Sequence, residues 1–355
     1  MPETPLHAGL RLHQLPTLSG LRAIAVFLVI FYHCGFEWVP GGLGVLMFFV
    51  ISGFLITWLL LKENSRRGTV SLRRFYARRA LRIGPAFYAY ALLTLVLLKV
   101  LHKPIPWPSA VAALLYVENY MQAWYGDPGT GFSHTWSLAI EEQFYLLWPL
   151  LFLTIRTRLA LLIRVPAAII VTVWIYRAVL KFGLHVWQGY FYEAFDTRLD
   201  HLLIGCLLAV LLYSARDHRV WQLLCGRLWL AGVTVGLLVV SVMAENQYKD
   251  VYRDSVGFIV NPLLCAVLIP QLISLRDSWL VRWLEWPPVR YLGTISYSLY
   301  LYQQLVLTPV AKMLGRTPFA LQVAGSVAFL IAVASASYFV IEKPFLRLKN
   351  SQFRA

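Results

Sequence analysis

Two residues of the first apolar stretch carry a charge or can acquire one: Arg22 and His33, eleven residues apart. At 100° per residue that spacing closes three helical turns with about 20° over, and at 1.5 Å per residue it separates them by about 16 Å along the axis. One face of one helix therefore offers a permanent cation at one level and a titratable imidazole at another. Histidine, with an ordinary pKa near 6.5, accepts a proton from a hydroxyl and hands one on. Arg22 stays protonated and can hold a phosphate, a carboxylate or a polarised carbonyl. A charged group at mid-membrane costs roughly 2.5–3.5 kcal/mol on insertion scales, so each needs a reason. A lone histidine near a helix end is ordinarily structural; the arginine on the same face favours a catalytic role. Glu37, at i+4 from His33, either orients the ring or is a loop carboxylate.

Three further groups stand out. Glu141 and Glu142 are adjacent at the start of a long apolar stretch, and their side chains point about 100° apart. Acidic residues in a first turn complement the helix dipole, but Glu141 lies at least a turn in. It shares a face with His134, seven residues earlier. Arg198 and Asp200 sit at the other end of a short apolar block, as an ion pair or as acceptor contacts. Arg78, Arg79 and Arg82 form a compact cationic patch where a helix enters the membrane. Guanidinium forks match phosphate oxygens, so the patch suits a nucleotide-bearing donor; anchoring to lipid headgroups accounts for arginines in such a place equally well. Ser52, Trp136 and Gln303 are polar groups within apolar runs that could steady an oxyanion or shape a site.

The elements that must position these residues are membrane helices. Of 355 residues, 59% are hydrophobic and 14% charged, against about 25% charged in soluble domains. Apolar blocks such as 43–57, 91–100 and 319–341 are long and nearly uncharged, and a bilayer core needs about 20 such residues per helix. The expected fold class is all-α: a bundle of about ten transmembrane helices near 20–36, 43–61, 83–101, 136–155, 160–180, 199–213, 228–243, 256–275, 291–312 and 319–341. The segment 108–123 holds Glu118 and Asn119 and reads as interfacial or re-entrant. With the N-terminus in the cytoplasm, 23 of the 32 Lys and Arg residues fall on cytoplasmic pieces, as the positive-inside rule requires. The net charge of +15 is thus a topology signal and not a nucleic-acid footprint, and both termini are expected in the cytoplasm. Residues 1–17 lack a signal-peptide pattern, so the first apolar block reads as a retained helix. The four cysteines form no CxxC pair, so neither a disulfide framework nor a metal site is expected.

The motifs, taken in order, resemble the acyltransferase 3 family of membrane acyltransferases over almost the whole chain. Arg22 with His33 matches its Arg-x10-His signature, and Gly44 to Ile56 its Gly-rich second helix. Arg78 to Pro85, Thr135 to Tyr145, Arg198-Leu199-Asp200, Ile295 to Leu301 and Glu342-Lys343-Pro344-Phe345 match as well. The resemblance implies ten spans, an acyl-coenzyme A co-substrate on the cytoplasmic side, no bound cofactor, and O-acylation of a carbohydrate or glycoconjugate, the acyl group being acetyl. By that analogy His33 is catalytic and Arg22 assists it or holds the donor. The family often has an acidic residue where this chain has Leu46, and a histidine where it has Gln303; glutamine hydrogen-bonds but cannot take a proton. The resemblance implies a cytoplasmic segment 1–17, a membrane acyltransferase domain 18–342 and a cytoplasmic tail 343–355. The chain stops soon after the tenth span, so no hydrolase-like appendage is expected.

The reading is therefore a multi-pass protein of the inner (cytoplasmic) membrane whose partners are acyl-CoA, a carbohydrate acceptor and the lipid bilayer, with no nucleic acid. His33, Arg22 and Glu141 are its catalytic candidates. Arg78, Arg79 and Arg82 are its donor-binding candidates, and Ser52, Trp136, Arg198, Asp200 and Gln303 its acceptor-binding or site-shaping ones. A solute transporter or flippase is the alternative, since intramembrane Arg, His and Glu also serve solute paths, although no inverted repeat is visible. A catalytically inactive, ligand-binding family member is the other.

Overall fold

The computed structural model describes residues 5–11, 15–215 and 219–352. Among them all regular structure is helical. Ten long helices coincide with the ten expected stretches: α1 Pro16–His33, α2 Gly41–Arg67, α3 Leu72–Val100, α4 Trp136–Ile155, α5 Leu159–Ala178, α6 Phe195–Ala215, α7 Leu228–Tyr252, α8 Phe258–Ser274, α9 Ser296–Met313 and α10 Phe319–Ser337. Seven stretches among the described residues are long and apolar enough to cross a membrane. One of them, Leu228–Ser274, comprises both α7 and α8, joined through the π-helical turn Arg253–Gly257. The two long helices outside these seven stretches, α6 and α9, are 21 and 18 residues long and carry much of the buried polar content, Arg198, Asp200 and His201 on α6 and Ser296, Ser298 and Gln303 on α9.

Segment 108–123 is two short helices, Trp107–Leu114 and Glu118–Tyr125, broken at Tyr116, whose φ of 55° is left-handed. Eight residues rise about 12 Å, too little to cross the hydrocarbon. Before α1, the helix Pro5–Arg11 buries Leu6 and Leu10 and packs on α8. Positions 1–4 and 12–14 of the expected N-terminal segment, and 353–355 of the expected tail, lie outside the described residues.

The bundle is built around α2, which packs against α1, α4, α6 and α8. Lipid tails are as apolar as leucine, so membrane helices associate through close contact of small residues. A Cβ on Gly53 of α2 would stand 1.9 Å from the Leu202 carbonyl oxygen of α6, and one on Gly205 of α6 would stand 2.1 Å from that of Val50. The two backbones touch at reciprocal glycines. Gly44 brings α2 close to α1, a Cβ there standing 2.4 Å from the Ala25 carbonyl oxygen. The helix Pro287–Thr294 lies against the start of α1, with Gly293 at the Ser19 carbonyl. That contact sets residues 293–296 level with Arg22, so α9, leaving from there and packing on α1, runs alongside it. Outward faces stay apolar: Leu92, Val100, Ile175, Val240 and Phe329 are all more than half exposed, as residues facing lipid are.

Candidate active site

Arg22 lies one and a half turns into α1, and α3 and α4 supply its neighbours. Arg79, Glu141, Tyr145 and Glu342 are within electrostatic reach of it, and Arg82 is in reach of Arg22, Arg79 and Glu342. The Arg79 guanidinium covers the Tyr145 ring, 3.9 Å from its centre. Ser52 of α2 donates to Glu141 Oε1 at 2.8 Å. Ser298 of α9 donates to Glu342 Oε1 at 2.5 Å. Three guanidiniums thus face two carboxylates, and each carboxylate has one oxygen engaged by a serine. Such a cluster keeps net positive charge for an incoming phosphate or carboxylate.

Arg78 does not join the cluster. A turn nearer the loop than Arg82, it pairs with Glu63 at 2.9 Å, and the other Glu63 oxygen accepts the Ser71 backbone N–H at 3.2 Å. Its place beside Arg79 and Arg82 is taken by Arg22. The expected three-arginine patch on α3 is therefore assembled from two helices.

At the far end of α1 stands His33, the last residue of the helix and exposed. Its Nδ1 lies 2.8 Å from the Val29 carbonyl oxygen. A carbonyl only accepts, so Nδ1–H donates to it and Nε2 is the nitrogen that Val29 leaves unengaged. The ring packs edge-on against Tyr32, 5.5 Å between centres. Val29, and not Glu37, orients it. His134, in the turn that opens α4, is in electrostatic reach of His33. Its ring stands between Tyr90 and Tyr300, 5.5 Å from each, beside the Leu301 backbone. The Tyr300 hydroxyl is 2.6 Å from Ser137 Oγ and donates to the His134 carbonyl at 3.0 Å.

Asp200 is paired, but with Arg177 of α5, at 2.9 and 2.7 Å, and it also accepts from Trp174 at 2.9 Å. Arg198 does not pair with Asp200: its helix turns it to the Phe258 ring at 4.1 Å and the Tyr192 ring at 5.0 Å. Trp136 stacks obliquely on Tyr192, 5.1 Å away. Gln303 is fully buried on α9, its amide oxygen and nitrogen both without partners among the described residues. Leu46 is buried in the core of α2.

Sequence reasoning passed over Arg177 and gave His134 and Tyr300 no role of their own. An arginine within an apolar block was a signal for the first, because a buried cation implies a buried anion elsewhere. His134 was visible through the helix face it shares with Glu141, and Tyr300 had no signal beyond its motif.

Among the described residues, a polar seam thus runs through an apolar helical bundle of the membrane type. A family model described as an acyltransferase domain matches residues 15–340, and the chain belongs to that family, acyltransferase 3. It is similar to YrhL of Bacillus subtilis, 33% identical over 362 residues, covering 96% of this chain and 56% of that one. The peptidoglycan O-acetyltransferase OatA of Listeria monocytogenes is 30% identical over 351 residues, covering 93% and 55%. The O-acetyltransferase OatA of Staphylococcus aureus is 33% identical over 374 residues, covering 96% and 60%. The chain thus spans little more than half the length of these relatives. No solved structure gives a significant match. The chain is thus a multi-pass membrane member of that family.

Proposed function

We propose that the protein carries an acetyl group from acetyl-CoA to a hydroxyl of an envelope carbohydrate, with His33 as general base. The ten helices cross the inner membrane with both ends in the cytoplasm. Arg22, Arg79 and Arg82 hold the donor's phosphates, and the thioester reaches His33. The observation that carries this reading is the 2.8 Å contact of His33 Nδ1 with the Val29 carbonyl: it engages Nδ1 and leaves Nε2 as the nitrogen that takes a proton at an exposed helix end. His33 Nε2 takes the proton of the acceptor hydroxyl as its oxygen attacks the thioester carbonyl carbon. The tetrahedral oxyanion collapses, the C–S bond breaks, and the leaving thiolate takes the proton back from His33. Ester and thiol are the products. A carbohydrate acceptor is supported by the names of the relatives: the Listeria monocytogenes protein is called a peptidoglycan O-acetyltransferase and the Staphylococcus aureus protein an O-acetyltransferase. Trp136, Tyr192 and Arg198 offer aromatic faces and a cation where a sugar would lie.

The test is turnover by the purified chain in proteoliposomes, with acetyl-CoA inside and a peptidoglycan oligosaccharide outside. Thiol release and one acetyl mass increment on the glycan are the readouts. His33→Ala is expected to lower turnover by roughly 10²–10⁴-fold with acetyl-CoA binding retained. Arg22→Ala is expected to weaken acetyl-CoA binding. Wild-type turnover by His33→Ala would remove the mechanism, and gradient-dependent solute movement without thiol release would favour a transporter.

A further inference from the structure

Four cations gather where α5 and α6 meet the turn between α7 and α8, and three of them are paired. Arg177 holds the two oxygens of Asp200 at 2.9 and 2.7 Å. Lys181 is 2.7 Å from Asp254, and Arg253 is 2.8 Å from Asp250 and 3.2 Å from Asp254. Arg198 is the exception. It is 1% exposed, and its Nε and Nη1 have no hydrogen-bond partner among the described residues. Four rings surround it instead: Phe258 at 4.1 Å, Tyr192 at 5.0 Å, Phe49 at 5.8 Å and Trp136 at 6.0 Å. Ring faces balance part of the charge but leave the N–H donors at the edge of the guanidinium unmet. A buried cation without a counter-charge is costly, so these donors call for a partner from outside the chain.

Arg198 stands at the end of the bundle that carries His33. The Tyr192 ring, with Arg198 and Arg253 at 5.0 and 5.1 Å, is in electrostatic reach of Tyr32, the residue against the His33 ring. The head of α2 meets both tyrosines with glycines. A Cβ on Gly41 would stand 2.8 Å from Tyr32 Cβ, and one on Gly42 would stand 3.0 Å from the Tyr192 hydroxyl. The way from His33 to Arg198 thus runs over backbone that carries no side chains. Glu245 of α7 is half-buried and in electrostatic reach of Arg198 and Arg253. It weakens the pull of the site on an anion, yet it leaves Nε and Nη1 of Arg198 unoccupied.

We infer that Arg198 binds a carboxylate of the acceptor, so that the hydroxyl offered to His33 belongs to an acidic sugar. A carboxylate brings the negative charge that Arg198 lacks and oxygens that accept from its free N–H groups. A neutral hydroxyl or a water molecule would accept one hydrogen bond and leave the cation unbalanced. The inference rests on the transfer to a carbohydrate proposed above and narrows it. Arg198 takes no part in making or breaking bonds; it determines which acceptor is taken, on a cation separate from the arginines assigned to the donor.

The test is acetyl transfer by the full chain in proteoliposomes to two acceptor probes: a peptidoglycan disaccharide with its carboxyl group free, and the same disaccharide with that group converted to a neutral carboxamide. Wild type is expected to prefer the carboxylate in kcat/KM by roughly tenfold to a hundredfold, the worth of charge-assisted hydrogen bonds. Arg198→Gln is expected to lose that preference through a raised KM for the carboxylate, with kcat at saturation and the KM for acetyl-CoA little changed. Glu245→Gln, which removes the competing charge, is expected to lower the KM for the carboxylate severalfold and leave that for the carboxamide as it was. A preference that survives in Arg198→Gln overturns the inference. Where Arg198→Gln does not fold, an unchanged carboxylate KM in Glu245→Gln overturns it. Equal use of the two probes by wild type removes the acidic acceptor and leaves the proposed transfer standing, whereas transfer to neither probe removes both.

Discussion

Asp200 is neutralised by an arginine on a neighbouring helix, and that single pairing decides how its own neighbour behaves. With both oxygens of Asp200 held by Arg177, Arg198 is left to the aromatic faces of Phe258 and Tyr192. Removing one partner of a buried pair leaves a charge uncompensated and costs about 3–5 kcal/mol, whereas replacing both by apolar residues is often near neutral. Arg177→Leu is therefore expected to lower the melting midpoint in detergent sharply, and Arg177→Leu with Asp200→Leu to recover most of it. A double variant no better than the single one would mean that the pair is needed for more than charge balance. At this scale the Arg22–His33 relation was legible because it follows from the period of one helix. The Arg177–Asp200 pair was not, because it joins α5 to α6 and nothing local in either segment records which neighbour it meets. Arg78 and Arg79 were inseparable for a related reason. Which of two adjacent long side chains turns to Glu63 and which to Tyr145 depends on where α2 and α4 lie beside α3.

Among the elements, α2 and α6 are the pair that tolerates least change. The atom that a Cβ on Gly53 would meet is a backbone oxygen, which cannot swing aside as a side chain can. Gly53→Leu is expected to prevent assembly, read as loss of monodisperse protein on extraction. Gly232→Ala of α7, where nothing lies within 4 Å, is expected to be neutral or slightly stabilising through better helix propensity. If both behave alike, the close crossing does not hold the bundle together. All ten long helices could be located from hydropathy, but their ends could not. α2 runs six residues past the expected 61 and α3 begins eleven before the expected 83. Those turns are polar: Lys62 to Arg67 and Leu72 to Arg82 hold most of the basic residues between the two spans. A helix needs only its own backbone hydrogen bonds to continue into the headgroup region, while a hydropathy reading stops where apolar residues stop. Gly68, at φ 70°, and the Ser71 cap are the signals that mark the true ends.

For the molecule as a whole, acidity and length are the two properties with measurable consequences. Outside the long helices, burial pushes the Glu118 and Glu193 carboxyls up to about 7. Glu118 is fully enclosed, with Ser109 and Gln122 donating to one oxygen at 2.7 and 3.0 Å. A carboxyl whose pKa is higher in the fold than in the unfolded chain holds its proton more tightly when folded. Its stabilisation is present below the ordinary value of 4.5 and is lost as the pH rises through about 7. The melting midpoint should therefore fall between about pH 5 and pH 8, and Glu118→Gln, which keeps an acceptor for Ser109, should flatten that slope. An unchanged slope in Glu118→Gln would place the pH sensitivity elsewhere. The second property comes from α1. Between Arg22 and His33 the helix contains neither glycine nor proline, so nothing lets it bend or stretch, and it acts as a ruler. One inserted residue would turn His33 by about 100° away from its partners, and four would restore the bearing to within about 40° while lengthening the gauge by about 6 Å. An enzyme measured by such a ruler accepts donors by reach: the four-residue insertion should fail with acetyl-CoA and recover part of its turnover when the thioester is presented on a correspondingly longer arm.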